Sequence, residues 1–283
     1  MAYRLLVVDA YPREGREKLI EAGGTEAGIL YSRMIERIHP GMRIKICHPA
    51  DGARPTTDEL QGFDGAAWTG SNLSILDDDP RVVRQIDLAR ELIEEGVPNF
   101  GSCFAIQVAT VALGGRCTKS PRGREFGISR AIQLTPAGRE HLLYRGKPDR
   151  FDAFTSHADE VAVLPGKSEL LAGNEWSSVQ GASLEGGHFL AVQYHPEYDL
   201  HEVASLCRLR KDELVEQGTF ADLAEAERMI QDFEALHADP TRDDLAKSLG
   251  VGETLLDEDV RTLEVRNWLD EHTPLENPPG RTR

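Results

Sequence analysis

The sequence predicts an α/β protein: a doubly wound, mostly parallel sheet followed by an α-helical C-terminal extension. Three observations carry that prediction. Short unbroken apolar runs, at Arg4 to Val8, Gly65 to Trp68 and Val97 into Gly101, suit strands covered by helices on both faces. The segments between them repeat their apolar residues at helical spacing. Finally, Val97-Pro98-Asn99-Phe100-Gly101-Ser102-Cys103-Phe104-Ala105-Ile106-Gln107 runs from strand through a sharp turn into a helix, with a thiol at the turn. Open sheets of this kind hold ligands at the carboxyl ends of their strands, so function is best read from that turn.

The first strand ends at Asp9-Ala10-Tyr11-Pro12. Residues 13 to 38 read as helix broken by Gly23-Gly24, with Ile29, Leu30, Met34, Ile35 and Ile38 on one face; an insertion here either lines a pocket mouth or makes a surface detour. Met42 to Cys47 is the second strand, Pro49 to Pro55 a loop and Thr57 to Leu60 a helical turn. The third strand, Gly65 to Trp68, leads into the polar loop Thr69-Gly70-Ser71-Asn72-Leu73-Ser74. Pro80 to Glu95 is an amphipathic helix, with proline suited to its first turn and Val82, Val83, Ile86, Leu88, Leu92 and Ile93 on its apolar side. The helix after Cys103 ends at Gly114-Gly115.

From Arg116 to Gln193 short runs alternate with turn residues: Ile128 to Leu134, Phe151 to Thr155, Val161 to Leu164, Leu170 to Ala172, Val179 to Ala182 and Leu190 to Gln193. These read as antiparallel strands and connectors over one side of the sheet. Leu200, Val203, Cys207 and Leu214 mark a helix, and Phe220 to Leu236 another. A short capped helix starts near Asp239-Pro240-Thr241 and stops at Gly250, and Asp257 to Asp270 is a further helix. Pro274 to Arg283 is Pro-rich and reads as loose. The expected division is a catalytic domain over 1–217 and a helical extension over 218–283.

Against 48 acidic residues stand 32 basic ones, a net charge of −16 that disfavours nucleic acid and acidic membrane surfaces as partners. No apolar run is long enough to span a bilayer, and Met1-Ala2-Tyr3-Arg4-Leu5 enters a strand with no signal-peptide pattern. The four cysteines, Cys47, Cys103, Cys117 and Cys207, are widely spaced and lack metal-site spacing, so no metal is expected. A reducing cytoplasm is the expected setting, with Cys47, Cys117 and Cys207 as core thiols.

Cys103 stands in a small-x-nucleophile-x-small pattern with Gly101 and Ala105, the form of a nucleophile elbow. Strand and helix approach closely around such a turn, which demands small side chains. The helix that begins there points its N-terminal amides at the sulfur and favours thiolate. A cysteine nucleophile needs a base and a group that orients the base. About 90 residues later, Leu190-Ala191-Val192-Gln193-Tyr194-His195-Pro196-Glu197 is an apolar strand followed by His-Pro-Glu. His195 and Glu197 are two apart at a strand end and can face one side, with Pro196 stiffening the link. Cys103, His195 and Glu197 thus form a candidate triad.

Gly101-Ser-Cys-Phe-Ala-Ile-Gln107 and Gln193-Tyr-His-Pro-Glu197 resemble the two signatures of the class I, triad-type glutamine amidotransferases, whose usual forms are Gly-x-Cys-x-Gly-x-Gln and a His-Pro-Glu after a strand. The resemblance runs over roughly residues 4 to 200, about seventy percent of the chain, and is similar to the glutaminase domain of GMP synthetase. It departs at Ala105, where the family usually has Gly; the added methyl is expected to narrow the substrate pocket. The loop at Gly70-Ser71-Asn72 stands where the family carries a Gly-Gly-Pro oxyanion loop. The resemblance therefore implies backbone N–H donors from Gly70 or Ser71 and from Phe104. It places Ser156, His157 and Ala158 near the α-amino and α-carboxyl end of the substrate, though a lone His at a strand end is more often structural. Gln107, one helical turn past Cys103, is expected to face the same pocket.

The implied reaction is hydrolysis of a γ-glutamyl amide, with glutamine the first substrate to consider, through a cysteinyl thioester. It needs no cofactor, and the sequence contains no ATP-binding loop. Three readings remain open: a glutaminase working with a separate synthetase subunit, a stand-alone hydrolase of another γ-glutamyl amide or peptide, and a non-catalytic binding or regulatory relative. The apolar faces of the extension must pack somewhere: on the chain itself, on a second copy in a homodimer, or on a partner.

Overall fold

The computed structural model describes residues 3–272; Pro274 to Arg283, read above as loose, lies outside the described residues. The chain opens with β1 (Arg4–Val8), α1 (Arg13–Glu21), α2 (Ala27–Ile38), β2 (Arg43–Cys47), α3 (Thr57–Leu60), β3 (Gly65–Trp68), α4 (Pro80–Glu94), β4 (Asn99–Ser102) and α5 (Phe104–Ala112). The middle of the chain supplies β5 (Arg116–Lys119), β6 (Glu125–Leu134), α6 (Pro136–Glu140), β7 (Arg150–His157), β8 (Asp159–Val163), β9 (Glu169–Gly173), β10 (Gly181–Leu184) and β11 (Phe189–Val192). Among the described residues six helices follow: α7 (Leu200–Glu216), α8 (Leu223–Ala238), α9 (Asp243–Leu249), α10 (Glu253–Leu256), α11 (Glu258–Arg261) and α12 (Leu263–His272).

Nine strands form one sheet in the order β2-β1-β3-β4-β11-β10-β9-β6-β7. From β2 to β11 the neighbours are parallel. Beyond β11 they are antiparallel. The parallel core strands β3, β4 and β11 are buried at every residue, as continuous apolar runs require, whereas β2 at the edge stays partly exposed. β5 and β8 pair in a separate two-stranded ribbon.

One face of the parallel sheet is covered by α4 and α5, whose Val82, Leu88, Leu92, Ile106 and Val108 pack with Leu6, Val8 and Trp68. The other face is covered by α2 and α12: Tyr31, Met34, Val265, Trp268 and Leu269 pack with Leu5, Val7, Phe100 and Val192. The rings of Phe100 and Trp268 lie 5.7 Å apart. The last described helix thus completes the core, and each large side chain it buries is worth about 1.5–3 kcal/mol. Helices α7, α8 and α9 build a third apolar cluster with Tyr11, Leu19 and Phe154.

Some boundaries differ from expectation. β6 begins at Glu125, before the apolar run, because Glu125 and Phe126 pair with His157 and Ser156. β10 occupies Gly181–Leu184, later than Val179 to Ala182. The helix expected over 257–270 is two, α11 and α12, divided at Thr262. The buried Lys147 ammonium accounts for the division: it donates to the carbonyls of Val260 (2.9 Å) and Arg261 (3.3 Å) and to Glu264 Oε2 (3.0 Å).

Candidate active site

Cys103 sits between β4 and α5 with φ 53° and ψ −102°, a conformation that costs energy in a residue with a side chain. Its amide donates to the Val192 carbonyl at 2.8 Å, which ties the turn to β11. Gly101 permits the turn: a Cβ there would fall 2.4 Å from Ala105 Cβ and 2.8 Å from Trp68 Cβ. The Ala105 methyl therefore lies in the seam between strand and helix, fully buried over Gly101. This corrects the expectation that it narrows a pocket; it fills space that Gly101 leaves free.

His195 and Glu197 follow β11 in a turn closed by the Tyr198 amide donating to the His195 carbonyl at 3.3 Å. Their side chains meet, His195 Nδ1 to Glu197 Oε1 at 2.7 Å. Turn geometry with Pro196 in its second position, rather than strand alternation, brings them together. The His195 amide donates to the Phe154 carbonyl at 2.8 Å, and the ring stacks on Tyr198 with centroids 3.9 Å apart and planes 5° apart. Cys103 lies on the same side: a Cβ built on Gly70 would come within 2.7 Å of the ring Cε1 and 3.5 Å of Cys103 Cβ. Cys103, His195 and Glu197 are all buried, at 4%, 2% and 7% exposure.

Burial opposes a charge on His195, but the Glu197 carboxylate and the Cys103 sulfur outweigh it by charge and hydrogen bonding and push the ring up to about 10. The ring is thus held as imidazolium at neutral pH. Burial pushes the thiols of Cys47, Cys117 and Cys207 up to about 12, and all four cysteines are free.

The other expected site residues divide. Gly70 lies against the centre, since a Cβ there would come within 2.7 Å of His195 Cε1. Ser71 anchors the same loop, its hydroxyl donating to the Ala10 carbonyl at 2.9 Å. Phe104 opens α5, where backbone N–H groups have no partner within the helix. The Ser156 carbonyl oxygen is 3.7 Å from Cys103 Sγ, and the Ser156 hydroxyl is buried without a hydrogen-bond partner among the described residues. The Ala158 carbonyl accepts from the Ser120 amide at 2.8 Å.

His157 and Gln107 are engaged elsewhere. His157 Nε2 meets Glu125 Oε2 at 2.8 Å and Nδ1 meets the Asp159 carbonyl at 3.0 Å. Burial works against the Glu125 carboxylate's charge, but bonds from His157, Asn174 and Ser129 hold it below the usual carboxylate range. Gln107 donates to the Asp159 carbonyl at 2.8 Å, bracing α5 against β8. Two residues to which the sequence assigned no role also reach the centre: Ser102 Oγ donates to Glu197 Oε1 at 3.0 Å, and Tyr198 supports the ring. Ser102 lies inside one motif and Tyr198 directly follows the other, and that nearness was the only available signal.

A cavity of about 1150 Å³ runs along β6 past Arg124, Phe126, Arg130 and Trp176 and does not include Cys103. Asp9, Glu26 and His48 place ligand atoms within 4.8 Å of one another. However, Asp9 accepts from the Gly28 and Tyr11 amides and Glu26 pairs with Arg16, so hydrogen bonds and an ion pair already account for these carboxylates. No described helix is long and apolar enough to cross a membrane.

Residues 77–207 match the family described as glutamine amidotransferase class-I. The chain is 30% identical to a gamma-glutamyl-L-1-hydroxyisopropylamide hydrolase from a Pseudomonas species, over 94% of this chain and 92% of that one. It is 31% identical to gamma-glutamyl peptidase 5 of Arabidopsis thaliana over 62% of this chain and 70% of the other. Among solved structures, a glutamine amidotransferase from Thermotoga maritima shares the fold with a TM-score of 0.66 at 16% identity, covering 96% of this chain and 98% of that one. With a family match across both motifs and a full-length relative at this identity, the chain belongs to the class I glutamine amidotransferase family of enzymes.

Proposed function

We propose that this protein hydrolyses γ-glutamyl amides, acting as a stand-alone hydrolase, with Cys103 as nucleophile, His195 as acid and base, and Glu197 as the group that orients and charges His195. The carrying observation is the buried arrangement of Cys103 at a strained elbow, the His195 ring and Cys103 both beside Gly70, and Glu197 at 2.7 Å from the ring. The Cys103 sulfur attacks the side-chain carbonyl carbon. Backbone N–H groups of Phe104 and of Gly70 or Ser71 stabilise the oxyanion. As the C–N bond breaks, the His195 imidazolium gives its proton to the leaving amine, and a γ-glutamyl thioester remains on Cys103. His195 then takes a proton from water, the oxygen attacks the thioester, the C–S bond breaks and glutamate leaves.

Relatives named for a γ-glutamyl hydroxyalkylamide and for γ-glutamyl peptides favour a substrate larger than glutamine. Water is the acceptor in that reaction, so no synthetase subunit is required. The test is amine release from glutamine, from γ-glutamyl alkyl- and hydroxyalkylamides and from γ-glutamyl dipeptides. Preference for the amides or dipeptides supports the proposal. Preference for glutamine, raised by a synthetase subunit, would favour the ammonia-supplying alternative; turnover by Cys103→Ala equal to wild type would end both.

A further inference from the structure

We propose that Ser102 and Tyr31 are positioning residues, extending the His195–Glu197 pair beside Cys103 into a four-member hydrogen-bonded relay that fixes the Glu197 carboxylate on the His195 ring. The proposal rests on the catalytic reading of those three residues given above.

Glu197 Oε1 is shared: His195 Nδ1 approaches it at 2.7 Å and Ser102 Oγ at 3.0 Å. Tyr31 Oη lies 2.7 Å from Ser102 Oγ. A carboxylate only accepts, so the single hydroxyl hydrogen of Ser102 points at Glu197. Ser102 must then accept from Tyr31, and the proton order runs one way, from Tyr31 to Ser102 to Glu197. Tyr31 suits a terminal donor. Burial first, and then the charges of Glu197 and Cys103, push its hydroxyl well above the ordinary tyrosine value, so it keeps its proton.

Tyr31 and Ser102 are both fully buried, so water does not compete for these bonds. The second carboxylate oxygen, Glu197 Oε2, is buried with no hydrogen-bond partner among the described residues. Apart from the ring itself, Ser102 is therefore the hydrogen-bond donor found on this carboxylate, and a buried carboxylate left with the imidazole alone is poorly satisfied. Bonds in series polarise one another, so Tyr31 strengthens the Ser102 donor.

The fold holds both residues in place. Ser102 ends β4 one position before Cys103, so the strand that presents the nucleophile also presents the donor to Glu197. Tyr31 comes from α2, whose Gly28 amide donates to Asp9 Oδ2 at 2.9 Å. A Cβ on Gly28 would fall 2.9 Å from Ile46 Cγ2, so glycine lets α2 settle against the sheet. The insertion after β1 is thus more than a surface detour: Leu19, Thr25, Ala27 and Leu30 line a small cavity together with Gly70 and Glu197, and Tyr31 reaches Ser102 at the rear of the catalytic centre.

The test is steady-state kinetics against pH, with thermal unfolding, for Ser102→Ala, Ser102→Thr, Tyr31→Phe and the Ser102→Ala/Tyr31→Phe double variant. Ser102→Ala is expected to lower kcat roughly 10- to 100-fold, the worth of a hydrogen bond to a charged group, with KM little changed. The acid limb of its kcat/KM profile should move to higher pH, because a hydrogen bond to an ionised carboxylate favours the ionised form. Ser102→Thr should recover most of the rate. Tyr31→Phe should lose several-fold, and the double variant should match Ser102→Ala rather than the product of the two losses. Ser102→Ala with kcat and acid limb at wild-type values, or losses that multiply in the double variant, would overturn the relay. If Ser102→Ala does not fold, Tyr31→Phe decides through the same two readouts. Cys103→Ala and Glu197→Gln serve as controls: if both keep wild-type turnover, the catalytic reading itself has failed, and if both lose it while Tyr31→Phe and Ser102→Ala do not, only the relay has.

Discussion

Gly70 and His195 approach so closely that no side chain fits between them. A Cβ on Gly70 would lie 2.7 Å from the ring Cε1 and 3.5 Å from Cys103 Cβ. Glycine is required here for close approach, not for an unusual φ. Gly70→Ala is expected to displace the ring or the loop and to lower kcat by about 100-fold, because small misplacements at a reacting centre are costly. The melting temperature should change little, since the loop can yield toward solvent. Kinetics and thermal unfolding of this single variant check it, and wild-type kcat would contradict the proposed placement of the loop.

A glutamine-like electrophile, such as a diazo-oxo-norleucine, is expected to modify Cys103 alone. Cys47, Cys117 and Cys207 are buried and their thiols are pushed up to about 12, so they remain unreactive thiols at neutral pH. Peptide mass mapping after one equivalent of reagent reads the outcome. Modification of another cysteine with Cys103 intact would refute the assignment.

The raised His195 value has a consequence for pH dependence. In the proposed reaction the leaving amine takes the imidazolium proton, so kcat/KM should hold through neutrality and fall as pH rises past about 10. Glu197→Gln removes the carboxylate that favours the charged ring, and the alkaline limb should move to lower pH. The same group bears on stability: a histidine raised from an unfolded value near 6.5 contributes its full stabilisation below that pH and loses it as pH climbs toward 10. An alkaline limb that Glu197→Gln leaves in place would show that another group sets it.

His195→Ala and Cys103→Ala are expected to lower kcat by similarly large factors, on the order of 10⁴ or more, while Glu197→Gln leaves a measurable remnant. Nucleophile and base act as one unit, whereas the orienting group costs less to lose. If His157→Ala were fatal and His195→Ala harmless, the two histidines would exchange roles. The geometry argues against that, since both nitrogens of His157 face Glu125 and the Asp159 carbonyl.

Truncation near Gly218 is expected to give insoluble or unfolded protein. It would remove Val265, Trp268 and Leu269 from the second face of the sheet and strand the buried Lys147 ammonium, which meets Glu264 at 3.0 Å. Lys147→Met is the sharper variant: it leaves Glu264 buried without its cation and should cost about 3–5 kcal/mol, and adding Glu264→Leu should recover much of that. Denaturant unfolding reads both. A stable, active 1–217 fragment would mean that α12 is not part of the core.

The parallel strands and their covering helices were legible because their burial is local. Runs such as Leu5 to Val8 need only be apolar to be core strands, and the helices of Pro80–Glu94 and Phe104–Ala112 carry their period within themselves. The meeting of Cys103 with His195 and Glu197 was legible for a different reason: an elbow and a His-Pro-Glu turn each have a spelling, and the sheet order places β4 beside β11. The break at Thr262 had no spelling, because its cause is Lys147, more than a hundred positions away.

What the sequence alone determined, then, was the α/β class, the strained cysteine turn between Gly101 and Ala105, and the identity of three chemically matched side chains. Tertiary structure decided the rest. It engaged His157 with Glu125 and Gln107 with Asp159, seated the Ala105 methyl over Gly101, brought Tyr31 from an inserted helix to Ser102, and laid Trp268 on Phe100. The physical reason is common to all of these. A polar or aromatic side chain declares what it can bond or bury, but its partner is set by distances between elements that no local pattern encodes.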